Sequence, residues 1–145
     1  MKDFYQISLK LILKNQAGEA LCLKGLRGGT FDGFYDLPGG RIDDSEFTVP
    51  FEQVIKREVA EELGQIDFIV RPKPVALGRH LIISKKDGTT KNIHVLYVFF
   101  EAKYKFGTLK ISKEHEGFIW LNLKDINLED YFTSGILQGI KMYLN

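Results

Sequence analysis

The sequence predicts an α/β fold of the α+β kind, a mixed β-sheet sandwiched between helices. Three observations predict it. Strand-like alternation occupies both halves of the chain, residues 50–63 carry a helical period, and a second helical segment follows the last strand. No Pro/Gly/Ser-rich linker interrupts the 145 residues, so a single domain over 1–145 is expected.

Phe4 to Leu13 places Ile7, Leu9, Leu11 and Leu13 at alternate positions, the spacing of a strand. Asn15 to Gly18 reads as a turn, and Ala20 to Lys24 as the return strand of a hairpin. Gly25 to Gly33 holds glycines at 25, 28, 29 and 33 and reads as a flexible connection. Phe34 to Leu37 reads as a short strand running into Pro38-Gly39-Gly40. From Pro50 to Leu63, the residues Ile55, Val59 and Leu63 recur at helical spacing and Gly64 supplies a stop. Pro50 suits the first turn of that helix, and Thr48 is a candidate cap.

The second half begins with extended segments at Phe68–Val70 and Val75–Ser84, separated by Arg71-Pro72-Lys73-Pro74, which reads as a loop. Asp87-Gly88 marks a hairpin. Asn92 to Tyr104 is a long β-rich run with Ile93, Val95, Tyr97 and Phe99 on one face. Gly117 to Leu121 reads as another strand. The chain turns helical from Leu123, with Ser134 to Leu144 as the last helix.

Composition excludes several classes. An apolar fraction of 44% supports a real core and argues against global disorder. A net charge of +1 gives no sign of a general nucleic-acid or membrane-surface binder. The single Cys22 has no internal disulfide partner, which fits a reducing compartment. The N-terminal stretch lacks the apolar run of a targeting segment, and Val95 to Phe100 is far short of the roughly 20 residues that span a bilayer. A cytoplasmic protein without membrane contact is expected.

The chemistry-bearing stretch is Gly39-Gly40-Arg41, then Glu46, then Arg57-Glu58-Val59-Ala60-Glu61-Glu62-Leu63-Gly64. At about 100° per residue, Glu61 and Glu62 flank Glu58 on a helix, and the three share one arc of about 100°. Ile55, Val59 and Leu63 occupy the neighbouring arc, so one side buries while the adjacent side gathers charge. Like charges at these spacings disfavour a helix by roughly 0.2–0.5 kcal/mol per pair. A divalent cation reverses that sign, and magnesium prefers such oxygen ligands. A bare Glu-x-x-Glu-Glu is ordinarily a solvated face; the glycine pair before it, which lets backbone approach a ligand, changes the reading.

Gly40, five residues, Glu46 and then Arg57 to Gly64 resemble the Nudix box of the Nudix hydrolase family. Tyr35 to Gly40 resembles the family's usual approach to that box. The resemblance covers about residues 35–66. Ten residues separate Glu46 from Arg57 where the family has seven, an insertion that Phe47-Thr48-Val49 can absorb. Gln65 stands where the family prefers an apolar residue, a role open to Ile66.

The resemblance implies a Nudix-like fold and Mg²⁺-dependent hydrolysis of a phosphoanhydride in a nucleoside diphosphate-linked substrate, with Mn²⁺ as a substitute ion. Glu58 and Glu62 would be the main metal ligands, and Glu61 a ligand or the group that activates water. Arg57 would orient the glutamates, and Gly40 could offer a carbonyl to the metal. Gly39, Gly40 and Arg41 would contact substrate, a surface arginine being the alternative for Arg41. The family often draws a further acidic residue from outside the box. Glu114-His115-Glu116 is the expected source, with Glu116 placed among the substrate contacts and Glu101 weaker. The expected partner is a small nucleotide-like molecule, and a homodimer is left open.

Other constellations point elsewhere. His80, His94 and His115 lack metal-ligand spacing for zinc, and no nucleophile-elbow pattern is present. Phe31, Phe34, Tyr35 and Trp120 suit either a core or stacking on a base. The subgroup markers for ADP-ribose, dinucleoside polyphosphate and NADH hydrolases are missing from Ala76 to Ser84 and beyond. The alternative class is a non-catalytic nucleotide sensor, against which the intact glutamates and Arg57 argue. An isomerase of the isopentenyl diphosphate type would need a catalytic cysteine, and Cys22 lies well before the box.

Overall fold

The computed structural model describes residues 1–145. The elements run β1 (Tyr5–Lys14), β2 (Ala20–Gly25), β3 (Tyr35–Asp36), β4 (Gly39–Arg41), α1 (Phe51–Leu63), β5 (Asp67–Lys86), β6 (Thr89–Phe106), β7 (His115–Leu121) and α2 (Ser134–Leu144). Single 3-10 turns stand at Asp44–Glu46 and Leu128–Asp130. One mixed sheet has the order β3-β2-β1-β6-β5, with β4 also paired to β1 and β7 to β2.

β1 is central. It runs parallel to β6 from Tyr5 opposite His94 to Lys14 opposite Lys103. A strand in that position is covered on both faces, which is why Leu9 to Leu13 is nearly continuously apolar. Leu9, Leu11 and Leu13 pack with Val54, Ile55, Val59 and Leu63 of α1. Ile12 belongs to the opposite layer, with Ile136 and Ile140 of α2. The sheet is thus held between two helices, each layer fixed by side chains whose full burial stabilises by about 1.5–3 kcal/mol apiece.

Several local expectations change. β1 and β2 meet only at Lys14 and Ala20, because β4 takes β1's edge at Ser8, Leu9 and Lys10. Gly39-Gly40, into which the short strand at Phe34–Leu37 is expected to run, is therefore itself part of a strand. The two extended segments at 68–70 and 75–84 form one bent strand, β5. Proline lacks the N–H that a ladder needs, and the register shifts on either side of Pro74. Pro50 is the N-cap of α1, and Thr48 contributes no side-chain cap. The stretch after Leu123 is irregular apart from one 3-10 turn until α2 begins.

β5 is an edge strand, and α2 blunts that edge. The Leu77 and Arg79 N–H groups donate to Met142 Sδ (3.3 Å) and Gln138 Oε1 (2.7 Å). No helix is long and apolar enough to cross a membrane.

Candidate active site

α1 delivers its carboxylates as the sequence spacing requires. Its apolar arc is buried on the sheet, while Glu61 is exposed, Glu58 half-buried and Glu62 only 4% exposed. Arg57 gathers the acidic groups. Its Nε and Nη2 donate to Glu46 Oε2 and Oε1 at 2.7 and 2.6 Å, a two-pronged pairing suited to a planar guanidinium. Its Nη1 donates to Glu58 at 2.8 Å and more weakly to Glu61 at 3.4 Å. The insertion ahead of α1 leaves this geometry intact, because the 3-10 turn holds Glu46 in place. Asp43 accepts from Ser45 N–H and Glu46 accepts from Asp43 N–H, a reciprocal cap.

β4 forms the facing wall. Gly39 has φ 131, and a side chain there would overlap the Leu9 carbonyl; a Cβ at Gly40 would overlap the Glu58 carboxylate. The Gly39 N–H donates to Glu62 Oε1 at 2.6 Å. Burial pushes the Glu62 carboxyl up to about 7, against the opposing pull of Lys10 and that N–H. Burial likewise raises Glu58, more than its pairing with Arg57 lowers it.

Behind Glu62 lies a buried charged cluster. Lys10 Nζ sits 3.0 Å from Asp36 Oδ1, and both side chains are almost fully enclosed. His115 Nε2 stands 3.6 Å from Asp36 Oδ2. Burial by itself would raise Asp36, but Lys10 and His115 outweigh it and hold the carboxyl below its ordinary value. Cys22, in the α2-side core, has its thiol pushed up to about 12 by burial and by Asp36. That protonated, enclosed sulfur is no nucleophile, which removes the isomerase alternative.

The sequence matches the NUDIX domain family across residues 5–138. The chain belongs to the Nudix family. As such it is a Nudix-type pyrophosphohydrolase, similar to the nucleoside triphosphatase NudI of Enterobacter sp. (strain 638), at 28% identity over 82% of this chain and 83% of that one. The NudI of Escherichia coli O139:H28 is 24% identical over 79% of this chain and 80% of its own. Among solved structures, the MutT protein of Methanosarcina mazei Go1 superposes with a TM-score of 0.70 at 21% identity. That match covers 99% of this chain and 94% of the other, and it shows the shared fold.

The Nudix box borders a cleft in two parts that share Gly39, Gly40, Arg41 and Glu114. The acidic part adds Gln6, Asp43, Asp44, Glu58 and Glu61. The other part, of about 400 Å³, reaches Glu62, Lys10 and Asp36 and is walled by Phe31, Ile82, Val95 and Tyr97. Of the residues expected outside the box, Glu114 lines both parts and His115 one. Glu116, expected among the substrate contacts, lies one residue further into β7, is exposed and lines neither part. Glu101 is remote, paired with Lys14 and Arg71. Phe31 is in the cleft; Tyr35 packs on Tyr131 and Trp120 on Tyr104.

The donor set fits a hard divalent cation. Glu58 and Glu61 share the acidic part. Glu62, Glu114 and His115 offer ligand atoms within 4.8 Å of one another. A cation supplies what burial denies the Glu62 carboxylate, and Arg41, bonded to Gln6 at 2.9 Å, stands beside the same groove. Sequence reasoning missed Lys10, Asp36 and His80. Its one available signal was Ser8 and Lys10, polar at alternate positions of an otherwise apolar strand.

Proposed function

We propose that this chain hydrolyses a phosphoanhydride bond of a nucleotide with the help of Mg²⁺, for which Mn²⁺ can substitute. The observation that carries the reading is the meeting of Glu58 and Glu61 with the glycine strand β4 across one groove, with Glu62 held to the Gly39 N–H of the same strand from the adjoining part of the cleft. Glu58, Glu61 and Glu62, with the Gly40 carbonyl, would hold the ion. An ion held there would supply Lewis-acid stabilisation of the phosphoryl and leaving-group charge and would lower the pKa of a bound water.

The remaining work falls to the chain. Arg57 keeps Glu58 and Glu61 aimed, bound as it is to Glu46. Glu61, exposed and held only by a 3.4 Å contact, is the group free to take a proton from the attacking water. Arg41 contacts the polyphosphate along β4. The part of the cleft walled by Phe31, Ile82, Val95 and Tyr97 takes the base, and its volume falls in the ordinary range for small-molecule sites. The relatives are named nucleoside triphosphatases, which favours a nucleoside triphosphate within the nucleotide class. The chain acts as a single domain, and its free Cys22 suits the cytoplasm.

The test is a phosphate-release screen over nucleoside triphosphates and nucleotide sugars with Mg²⁺ or Mn²⁺, products resolved to show which anhydride breaks. Glu58→Gln should lose at least about 100-fold in turnover with the fold unchanged. Unchanged turnover in that variant rejects the assignment. Binding without turnover in the wild type would favour the sensor alternative.

A further inference from the structure

His80 is fixed more firmly than a wall residue requires. On β5 it shares a face with Ile82, and its ring lies near-parallel to both Phe31 (centroids 5.8 Å, 22°) and Tyr97 (5.6 Å, 14°). Its Nδ1 is 2.8 Å from Ser134 Oγ, across the junction between β5 and the start of α2. Its Nε2 is buried and has no partner. A buried imidazole nitrogen left unpaired is destabilising, a deficit that a ligand hydrogen bond removes.

The support for this ring is itself strained. Ser134 has φ 54, a left-handed conformation that a residue with a side chain rarely adopts. Next to it, Gly135 approaches so closely that a Cβ would fall 2.6 Å from the Arg79 carbonyl and 2.7 Å from Tyr97. Together the two residues lock the α2 N-terminus against β5 and turn the Ser134 hydroxyl onto His80. Cleft position, stacked ring, anchored Nδ1 and orphaned Nε2 have one common use.

We propose that His80 is a specificity-determining residue, whose Nε2 hydrogen-bonds the edge of the substrate's heterocycle, with Ser134 as the residue that positions it. This rests on the reading of the part of the cleft walled by Phe31, Ile82, Val95 and Tyr97 as the base subsite. Burial holds the ring below its ordinary pKa, so it works as neutral imidazole. A neutral ring beside a rotating hydroxyl serves two kinds of base. When Ser134 donates to Nδ1, Nε2 carries the proton and donates to a keto oxygen. When Ser134 accepts from Nδ1, Nε2 is a bare acceptor for an amino group. His80 therefore selects a nucleobase bearing a keto or amino group at the position read, and rejects an unsubstituted one.

The experiment compares cytidine and uridine triphosphates with the 4-unsubstituted pyrimidinone triphosphate, and adenosine and inosine triphosphates with purine riboside triphosphate. KM and kcat are measured with Mg²⁺, and Kd by calorimetry on the corresponding monophosphates. Within the preferred pair, the keto and amino members should agree to about threefold. The unsubstituted analogue should be weaker by about tenfold in KM and Kd, with little change in kcat. His80→Phe, which keeps an aromatic ring, should erase that difference; Ser134→Ala should shrink it. Equal binding of parents and analogue by the wild type, or discrimination surviving in His80→Phe, overturns the proposal. The analogue series needs no variant, so a misfolded His80→Phe leaves the test intact. If no nucleotide is turned over, the hydrolase reading fails, while the calorimetric series still decides the contact made by His80.

Discussion

Replacing Glu62 by Gln should make the metal-free protein more stable, even though it removes a central site residue. Glu62 is 4% exposed, and its carboxyl is pushed from 4.5 to about 7, chiefly by burial. Glutamine keeps an oxygen for the Gly39 N–H and deletes the charge. At about 1.4 kcal/mol per pH unit, the rise corresponds to roughly 3 kcal/mol. Below pH 4.5 the side chain is protonated in both folded and unfolded chains, and this stability is fully present. As pH rises through 7 the unfolded chain has already released the proton and the folded chain does so late, so the stability is lost. Urea unfolding in EDTA should show wild type and variant nearly equal at pH 5, with the variant ahead by roughly 2–3 kcal/mol at pH 8. Mg²⁺ at about 100 times its Kd should return about 2.7 kcal/mol to the wild type and much less to the variant. A variant less stable than wild type at pH 8 in EDTA, or a difference that ignores pH, refutes the reasoning.

Two further substitutions probe the neighbouring layers. Asp36→Asn leaves the Lys10 ammonium buried without its anion, at a cost of about 3–5 kcal/mol in urea unfolding at pH 7. Because the Asp36 pKa is depressed, its stabilisation is present above about pH 4, and the gap from wild type should close as the medium is acidified through the folded value. Gly40→Ala puts a methyl where the Glu58 carboxylate now lies, so turnover should fall at least about tenfold. Mg²⁺ titration calorimetry on the same variant should show weakened binding, and unchanged turnover would show that Glu58 has no fixed place against β4.

The Nudix box was legible because its parts are local. Apolar period, carboxylate arc and the Gly64 stop all belong to one helix, whereas the Asp43–Glu46 cap that holds Glu46 ahead of the insertion emerges only in the structure. The opposite half of the cleft was not legible, for a topological reason. Lys10, Asp36 and His115 come from β1, β3 and β7, brought together only once β2 leaves β1 to pair with β3 and β7. The wide sequence spacing of His80 and His115 argues against a zinc motif but says nothing about a shared wall. His94, the third histidine, pairs instead with Asp3 on the exposed rim. Gly39-Gly40 carries no strand signal of its own; the open edge of β1 makes it a strand.

The two parts of the cleft follow from one feature of β1, the alternation of its side chains between layers. Leu9, Leu11 and Leu13 seat the apolar arc of α1, and that seating turns the adjacent arc, with Glu58, Glu61 and Glu62, towards β4. Ser8 and Lys10 point the other way and line the opposite part. The fold neutralises its buried charges unequally. Lys10 and Asp36 satisfy each other, and Arg57 draws Glu46, Glu58 and Glu61 together, but Glu62 receives one backbone N–H and stays largely desolvated. Removing that deficit would be simple with a second arginine, and it would fill the place a cation needs. A site that binds a divalent ion has to leave part of its charge unbalanced without it, and here the imbalance is concentrated on Glu62, which lines the part of the cleft that also holds Lys10 and Asp36.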